Sequence, residues 1–212
     1  MKITCISDTH GKHEQVHIPA DTDLLIHAGD ISNVGRMQGV QAFLDWYDKI
    51  DVPHKVFIGG NHDFLLENNR SLFRSMLEHY PNLIYLEDAG TEIHGIKMWG
   101  SPITPFFHNW AFNRQRGADI KRYWETIPND IDILITHGPP HGYGDQTYDG
   151  QLVGCVDLLA AVESIQPQYH IFGHIHEAYG ISKNETTTFI NASVLNLQYR
   201  MVHAPVVIDY LS

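Results

Sequence analysis

Short apolar runs that break off into Asp, Asn or His set the pattern of this chain. Residues 2–7 (KITCIS) predict a buried strand, and Asp8-Thr9-His10 follows at once. Residues 23–28 (DLLIHA) predict a second and end in Gly29-Asp30. Residues 54–58 predict a third, released into Gly59-Gly60-Asn61-His62-Asp63, where the glycines permit a sharp turn and a close backbone approach. Residues 132–136 hand over to His137-Gly138-Pro139-Pro140, and residues 168–172 to Gly173-His174-Ile175-His176. Short strands are also expected at 83–86, 187–191 and 206–210, with a hairpin of 91–93 and 96–99 turning at His94-Gly95.

Between the strands the period changes. Val40, Phe43, Leu44, Tyr47 and Ile50 recur at i, i+3, i+4, which predicts an amphipathic helix closed by Pro53. Leu72, Phe73, Met76, Leu77 and Tyr80 predict another, ended by Pro81, and further helices are expected over 118–126 and 155–165. Residues 100–117 follow neither period but hold Phe106, Phe107, Trp110 and Phe112, just after Trp99. A structureless stretch beyond about 12–15 residues is usually functional or disordered, and this aromatic density argues against disorder. Packing of these rings, and stacking of one of them on a nucleobase, are both open readings. Residues 201–205 read as irregular. Strands alternating with helices indicate an α/β layered fold, and with no linker or repeat the chain reads as one domain over 1–212.

Composition narrows the function. At 212 residues the chain can bury roughly 70% of its unfolded surface, and 43% hydrophobic content suits an ordinary core. No apolar run approaches the roughly 18 residues of a membrane helix, and Asp8 arrives too early for a signal peptide, so the chain reads as soluble and cytoplasmic. Cys5 and Cys155 are isolated and read as reduced, packed thiols. The net charge of −11 argues against sequence-independent adhesion to long nucleic acid or anionic lipid.

Fifteen histidines are what the composition leaves to explain. In open α/β sheets, ligands bind outside the carboxyl ends of the strands. The five polar motifs therefore converge: Asp8/His10, Asp30, Asn61/His62/Asp63, His137 and His174/His176. Imidazole and carboxylate ligation without thiolate suits Mn, Fe, Zn or Ni. The candidates are too many for one tetrahedral ion and fit two, about 3.5–4 Å apart and sharing a carboxylate. Two divalent ions with Asp8 and Asp30 leave a pocket charge of about +2, so an acidic protein can still take an anion. A water between such ions is acidified toward neutrality and becomes a nucleophile, and phosphate-ester hydrolysis uses this equipment best. The other ten histidines carry less: His27 and His170 lie within strands and read as packed, while His94, His108 and His141 sit in loops that could face the site. Asn33 and Arg36, after Asp30, are candidates for phosphate contact, against solvated surface as the plain alternative, and Asn61 is a candidate for substrate contact as well.

The ordered set D-x-H, G-D, G-N-H-D, H-G-P-P and G-H-x-H resembles the calcineurin-like metallophosphoesterases. Residues 105–113, 135–140, 153–159, 173–181 and 187–193 extend the similarity to the metallophosphoesterase-domain-containing brain proteins and their microbial relatives. The resemblance implies a sandwich of two mixed β-sheets flanked by α-helices. It implies one ion on Asp8, His10, Asp30 and His176 and a second on Asp30, Asn61, His137 and His174, with Mn²⁺ first and Fe, Zn, Ni or Mg as alternatives. It implies that His62 protonates the leaving oxygen or holds the phosphate, oriented by Asp63. Capping of the following turn is the plain alternative for Asp63. Relatives with glycine in place of His174 are weak catalysts; this chain keeps the histidine.

These readings point to a phosphodiesterase of small nucleotide-type or cyclic nucleotide diesters. The rivals are a phosphomonoesterase or protein phosphatase, a nucleotide-binding protein with vestigial catalysis, and a histidine-rich metal store that would hold more than two ions and tolerate loss of His62.

Overall fold

The computed structural model describes residues 1–210. Chain order begins β1 (Lys2–Ile6), β2 (Leu24–His27), α1 (Met37–Lys49), β3 (His54–Phe57), α2 (Phe64–Asn68), α3 (Arg70–Leu77) and β4 (Leu83–Tyr85). It continues with β5 (Ala89–Ile93), β6 (Ile96–Ser101), the two-residue strands β7 (Thr104–Pro105) and β8 (Asn113–Arg114), α4 (Ala118–Trp124), and β9 (Ile133–Thr136). It closes with α5 (Val156–Ile165), β10 (Tyr169–Phe172), β11 (Gly180–Lys183), β12 (Thr188–Asn191) and β13 (Val206–Asp209).

Two large sheets result, ordered β13-β1-β2-β3-β4 and β11-β12-β10-β9-β6-β5. The strands within each run parallel, with antiparallel strands at the edges: β13 on one sheet, β11 and β5 on the other. This is the expected sandwich of two mixed sheets flanked by helices. Parallel strands bury both faces, which is why they read as near-continuous apolar runs rather than alternating ones. Along β2, Leu24 and Ile26 join Ile3, Val56, Ile133, Ile171 and Ile190 in the layer between the sheets. Leu25 faces the other way, into the layer holding Val40, Phe43, Leu44 and Tyr47 of α1. On the second sheet Leu134 and Phe172 lie in the same outer layer as Trp124 of α4 and Leu158 and Val162 of α5.

The sheets meet at their carboxyl ends. Ser7 donates its N–H to Ala192 O (2.9 Å), and Val194 donates to Ser7 O (3.1 Å). That seam brings the loops after β1, β2 and β3 against those after β9 and β10. Three features differ from the sequence reading. Residues 64–68 form a short helix, residues 180–183 form an edge strand, and the aromatic stretch is pinned by the β7–β8 pair.

Candidate functional site

The loops that leave the strand ends are held in backbone conformations most residues avoid. Asp8 (φ 57°), His10 (φ 44°), Asp30 (φ 55°) and His174 (φ 68°) all lie in the left-handed region. Such residues cost on the order of 1–3 kcal/mol each and persist where their surroundings fix them. Here Asp8 N donates to Gly29 O and His10 N to Asp30 O, both at 3.0 Å, which locks the first two loops together. Gly60 and Gly173 are required by close approach. A Cβ on Gly60 would stand 2.3 Å from Asp30 N and Oδ1, and one on Gly173 would stand 2.1 Å from Asp8 Oδ2.

These loops aim their side chains at one another. Asp30 Oδ2 lies 3.3 Å from His137 Nε2, 3.5 Å from His10 Nε2 and 4.0 Å from His62 Nε2. Asp8 Oδ1 lies 3.5 Å from His176 Nε2, which faces His10 Nε2 at 3.3 Å. Asn61 Oδ1 stands 2.9 Å from His137 Nε2. The carboxylates also accept backbone donors: His62 N on Asp30 Oδ1 at 2.8 Å, and His174 N on Asp8 Oδ1 and Oδ2 at 3.1 and 3.0 Å. The donor atoms of three sets lie within 4.8 Å of one another and could hold an ion: Asp8/His10/His176, His10/Asp30/His62 and Asp8/Asp30/His137. His174 stands outside these sets, its ring 5.1 Å from that of His137.

Three imidazoles are oriented from behind by main-chain carbonyls. His137 Nδ1 lies 2.9 Å from Ala28 O, His176 Nδ1 3.1 Å from Asn196 O, and His62 Nδ1 2.6 Å from Asn33 O. An Nδ1–H donated to a carbonyl leaves the Nε2 lone pair facing the cluster, the arrangement that metal-ligating histidines use. With Asp30 Oδ2, Asn61 Oδ1 and His137 Nε2 all acceptors, a positive charge must sit among them, and the donor set fits divalent cations.

The protonation tendencies state the same demand. Burial holds His10 and His174 down to about 4. Burial also disfavours charge on His137 and His176, but Asp30 beside the first and Asp8 beside the second outweigh it and push both rings up to about 9. Burial pushes Asp30 and Asp8 up as well. His137, His10 and His62 around Asp30, and His176 and His137 around Asp8, nevertheless hold both carboxyls below the ordinary range.

The polar floor of Asp30, Asn61, His62, His174 and His176 opens into a cleft of about 220 Å³, walled by Phe107, Trp110, Leu197 and Tyr199. Trp110 packs on His62 with ring centroids 4.2 Å apart and planes 32° from parallel. A groove of about 270 Å³ between α4 and α5 lacks such a convergence of imidazoles and carboxylates.

Two expectations are corrected by the geometry. Asp63 does not orient His62, whose partner is the Asn33 carbonyl, and it makes no capping bond to α2. Its buried carboxylate accepts from Gly60 N (2.9 Å), Ile31 N (3.1 Å), Ser32 N (3.0 Å) and Ser32 Oγ (2.7 Å), tying the Asp30 loop to the Asn61 loop. Burial and the charge of Asp30 push that carboxyl up to about 7. Asn33 and Arg36 are exposed and do not line the cleft; Asn33 takes part only through its carbonyl. His94 pairs with His54, His141 lies beside Asp145, and His108 stands edge-on to Phe107, outside the cleft lining. Leu197, Tyr199 and the Asn196 carbonyl carry no signal in the sequence, because their segment has no period and a carbonyl is common to every residue.

A two-sheet sandwich with an imidazole–carboxylate donor cluster at its strand ends is the architecture of a metallophosphoesterase. Residues 1–178 match the calcineurin-like phosphoesterase family, and the chain belongs to it. It is similar to metallophosphoesterase domain-containing protein 1 of Homo sapiens, 37% identical over 230 residues that span 98% of this chain and 70% of that protein. UPF0046 protein C25E10.12 of Caenorhabditis elegans is also 37% identical over 230 residues, covering 99% and 80% of the two chains. Among solved structures, TT1561 of Thermus thermophilus superimposes with a TM-score of 0.66 at 13% identity, over 90% of this chain and 88% of that one.

Proposed function

We propose that this chain is a dinuclear, metal-dependent phosphodiesterase acting on small nucleotide-type phosphodiesters, cyclic nucleotides included. The observation that carries the reading is the position of Asp30, whose Oδ2 lies within 3.3–4.0 Å of imidazole nitrogens from three different loops. A carboxylate so placed suits two ions at once. Asp8, His10, Asp30 and His176 would hold one, and Asp30, Asn61, His137 and His174 the other; the mixed nitrogen and oxygen donors suit Mn, Fe, Zn or Ni, and the family resemblance puts Mn²⁺ first. When bound, such ions supply positive charge for the phosphoryl group and lower the pKa of water toward neutrality.

The chain's own groups do the rest. His62, fixed by the Asn33 carbonyl and packed against Trp110, keeps Nε2 toward the cleft, where the ring in its doubly protonated form can give the Nε2 proton to the leaving oxygen. Asp63 acts as a positioning residue, holding the Asp30 and Asn61 loops in register. No lysine or arginine lines the cleft among the described residues, so the imidazoles and bound ions must attract the anion. Among the described residues no helix is long and apolar enough to cross a membrane. The buried, unbridged Cys5 and Cys155 support a reducing cytoplasmic setting.

The test is turnover of bis(4-nitrophenyl) phosphate and 4-nitrophenyl phosphate after metal is stripped and Mn²⁺ restored. Diester cleavage should require Mn²⁺ and exceed monoester cleavage. His62→Ala should lower it about 10²–10⁴-fold, the usual share of a general acid. Turnover of the monoester alone would make the protein a phosphomonoesterase. Silence on both would overturn the catalytic reading in favour of nucleotide binding.

A further inference from the structure

Residues 195–201 form a tight hairpin at the mouth of the cleft. Leu195 bridges Met201, Asn196 N donates to Arg200 O at 3.0 Å, and Tyr199 N donates to Asn196 O at 2.8 Å. Asn196 Oδ1 accepts from Gln198 N and Arg200 N, both at 3.0 Å, and the Lys12 ammonium donates to Tyr199 O. Tyr199 sits at φ 55°. Asp, Asn and His visit the left-handed region with some help from their short polar side chains; a tyrosine has no such help and stays there only when its surroundings hold it. The result is a ring over the site, edge-on to His10 at 4.8 Å and to His176 at 5.4 Å. It remains 37% exposed, with Leu197 beside it at 44%. Across the cleft stand Trp110, on His62, and Phe107, 61% exposed. Tyr199, Leu197 and Phe107 thus stand open to water around a polar floor, while Trp110 is half-buried against His62 and Phe64. Apolar side chains that line a cleft around a few convergent polar groups suit the apolar part of a ligand.

We infer that Leu197 and Tyr199 on one side, and Phe107 and Trp110 on the other, are a specificity clamp for a flat ring carried by the alcohol portion of the phosphoester. The phosphate rests on the floor while the ring lies between the walls, stacked as aromatic side chains stack bases. This inference rests on the phosphoesterase reading. It assigns the left-handed backbone at Tyr199 a purpose, the presentation of its ring at the cleft.

The experiment is calorimetric binding of inorganic phosphate and of adenosine monophosphate to the Mn²⁺-loaded full chain. Wild type should bind the nucleotide at least about tenfold more tightly than phosphate, as one stacked ring provides. Tyr199→Gly removes the ring and relieves the strained backbone, and it should bring that ratio close to one with phosphate affinity retained. Leu197→Ala, at a position without a strained φ, should lower the ratio in the same direction and serves if the glycine variant does not fold. A wild-type ratio near one overturns the clamp. Equal weakening of both ligands in the variants also overturns it, because it would mean that the hairpin acts only by holding His176 through the Asn196 carbonyl. Absence of binding by either ligand in wild type removes the phosphoesterase reading and the clamp with it.

Discussion

Asp63 illustrates how much of the site is built from side chains that never touch its centre. Its two oxygens take four donors from two loops, so replacing one oxygen by an amide turns acceptors toward donors. Asp63→Asn should cost about 2–4 kcal/mol of stability by urea denaturation, the range for buried donors left unpaired beside a lost charge. A loss below about 0.5 kcal/mol would mean that the loops are held otherwise. Asp8, His10, Asp30, Asn61, His62, His137, His174 and His176 were all legible as a group, because each follows directly on an apolar run. The role of Asp63 was not. Adjacency to His62 suggested an orienter, whereas the chain turns at Gly60 and sends the carboxylate back to residues 31 and 32. The carbonyls of Ala28, Asn33 and Asn196 were illegible for a plainer reason: only a fold can single out one carbonyl from the rest.

Elements that bury both faces announce themselves, and those with little to bury do not. The strands of the two sheets and the helix of Val40, Phe43, Leu44 and Tyr47 were readable from pattern alone. α2 spans five residues, too few for a helical period, and β11 is an edge strand with three of its four residues exposed. The aromatic stretch divides: Phe112 is core, as the packing reading expects, while Phe107 and Trp110 line the cleft, where stacking on a base is a proposal. Packed histidines within strands give the elements a measurable pH response. His170 in β10 is fully buried, bonded through Nε2 to Thr136 Oγ1 at 2.8 Å, and burial holds its ring down to about 3. The unfolded chain binds that proton near pH 6.5, so the stability associated with the neutral ring is complete above 6.5 and lost as pH falls toward 3. Between pH 7 and pH 5 the loss should be about 2 kcal/mol from this ring. His170→Leu should remove that share, giving a shallower fall in urea midpoint over the same interval. An unchanged slope would contradict the assignment.

At the scale of the whole molecule, the two sheets share the layer that holds Ile3 and Ile190. The seam at Ser7, Ala192 and Val194 is what lets loops from separate sheets contribute to one centre. A net charge of −11 coexists with a site built to gather positive charge. The family and the sandwich were legible because the strand-end motifs fall in order along the chain. The second wall of the cleft was not, since residues 195–201 carry neither period nor motif. Everything proposed for the chemistry depends on five strand ends assembling a centre for two ions with Asp30 between them. Equilibrium dialysis of Mn²⁺ against the stripped protein, with metal counted per chain, probes that centre without relying on turnover. Two ions are expected in wild type, one in Asn61→Ala, and loss of tight binding at both sites in Asp30→Ala. One ion or none in wild type, or two ions retained by Asp30→Ala, would contradict the two-ion centre.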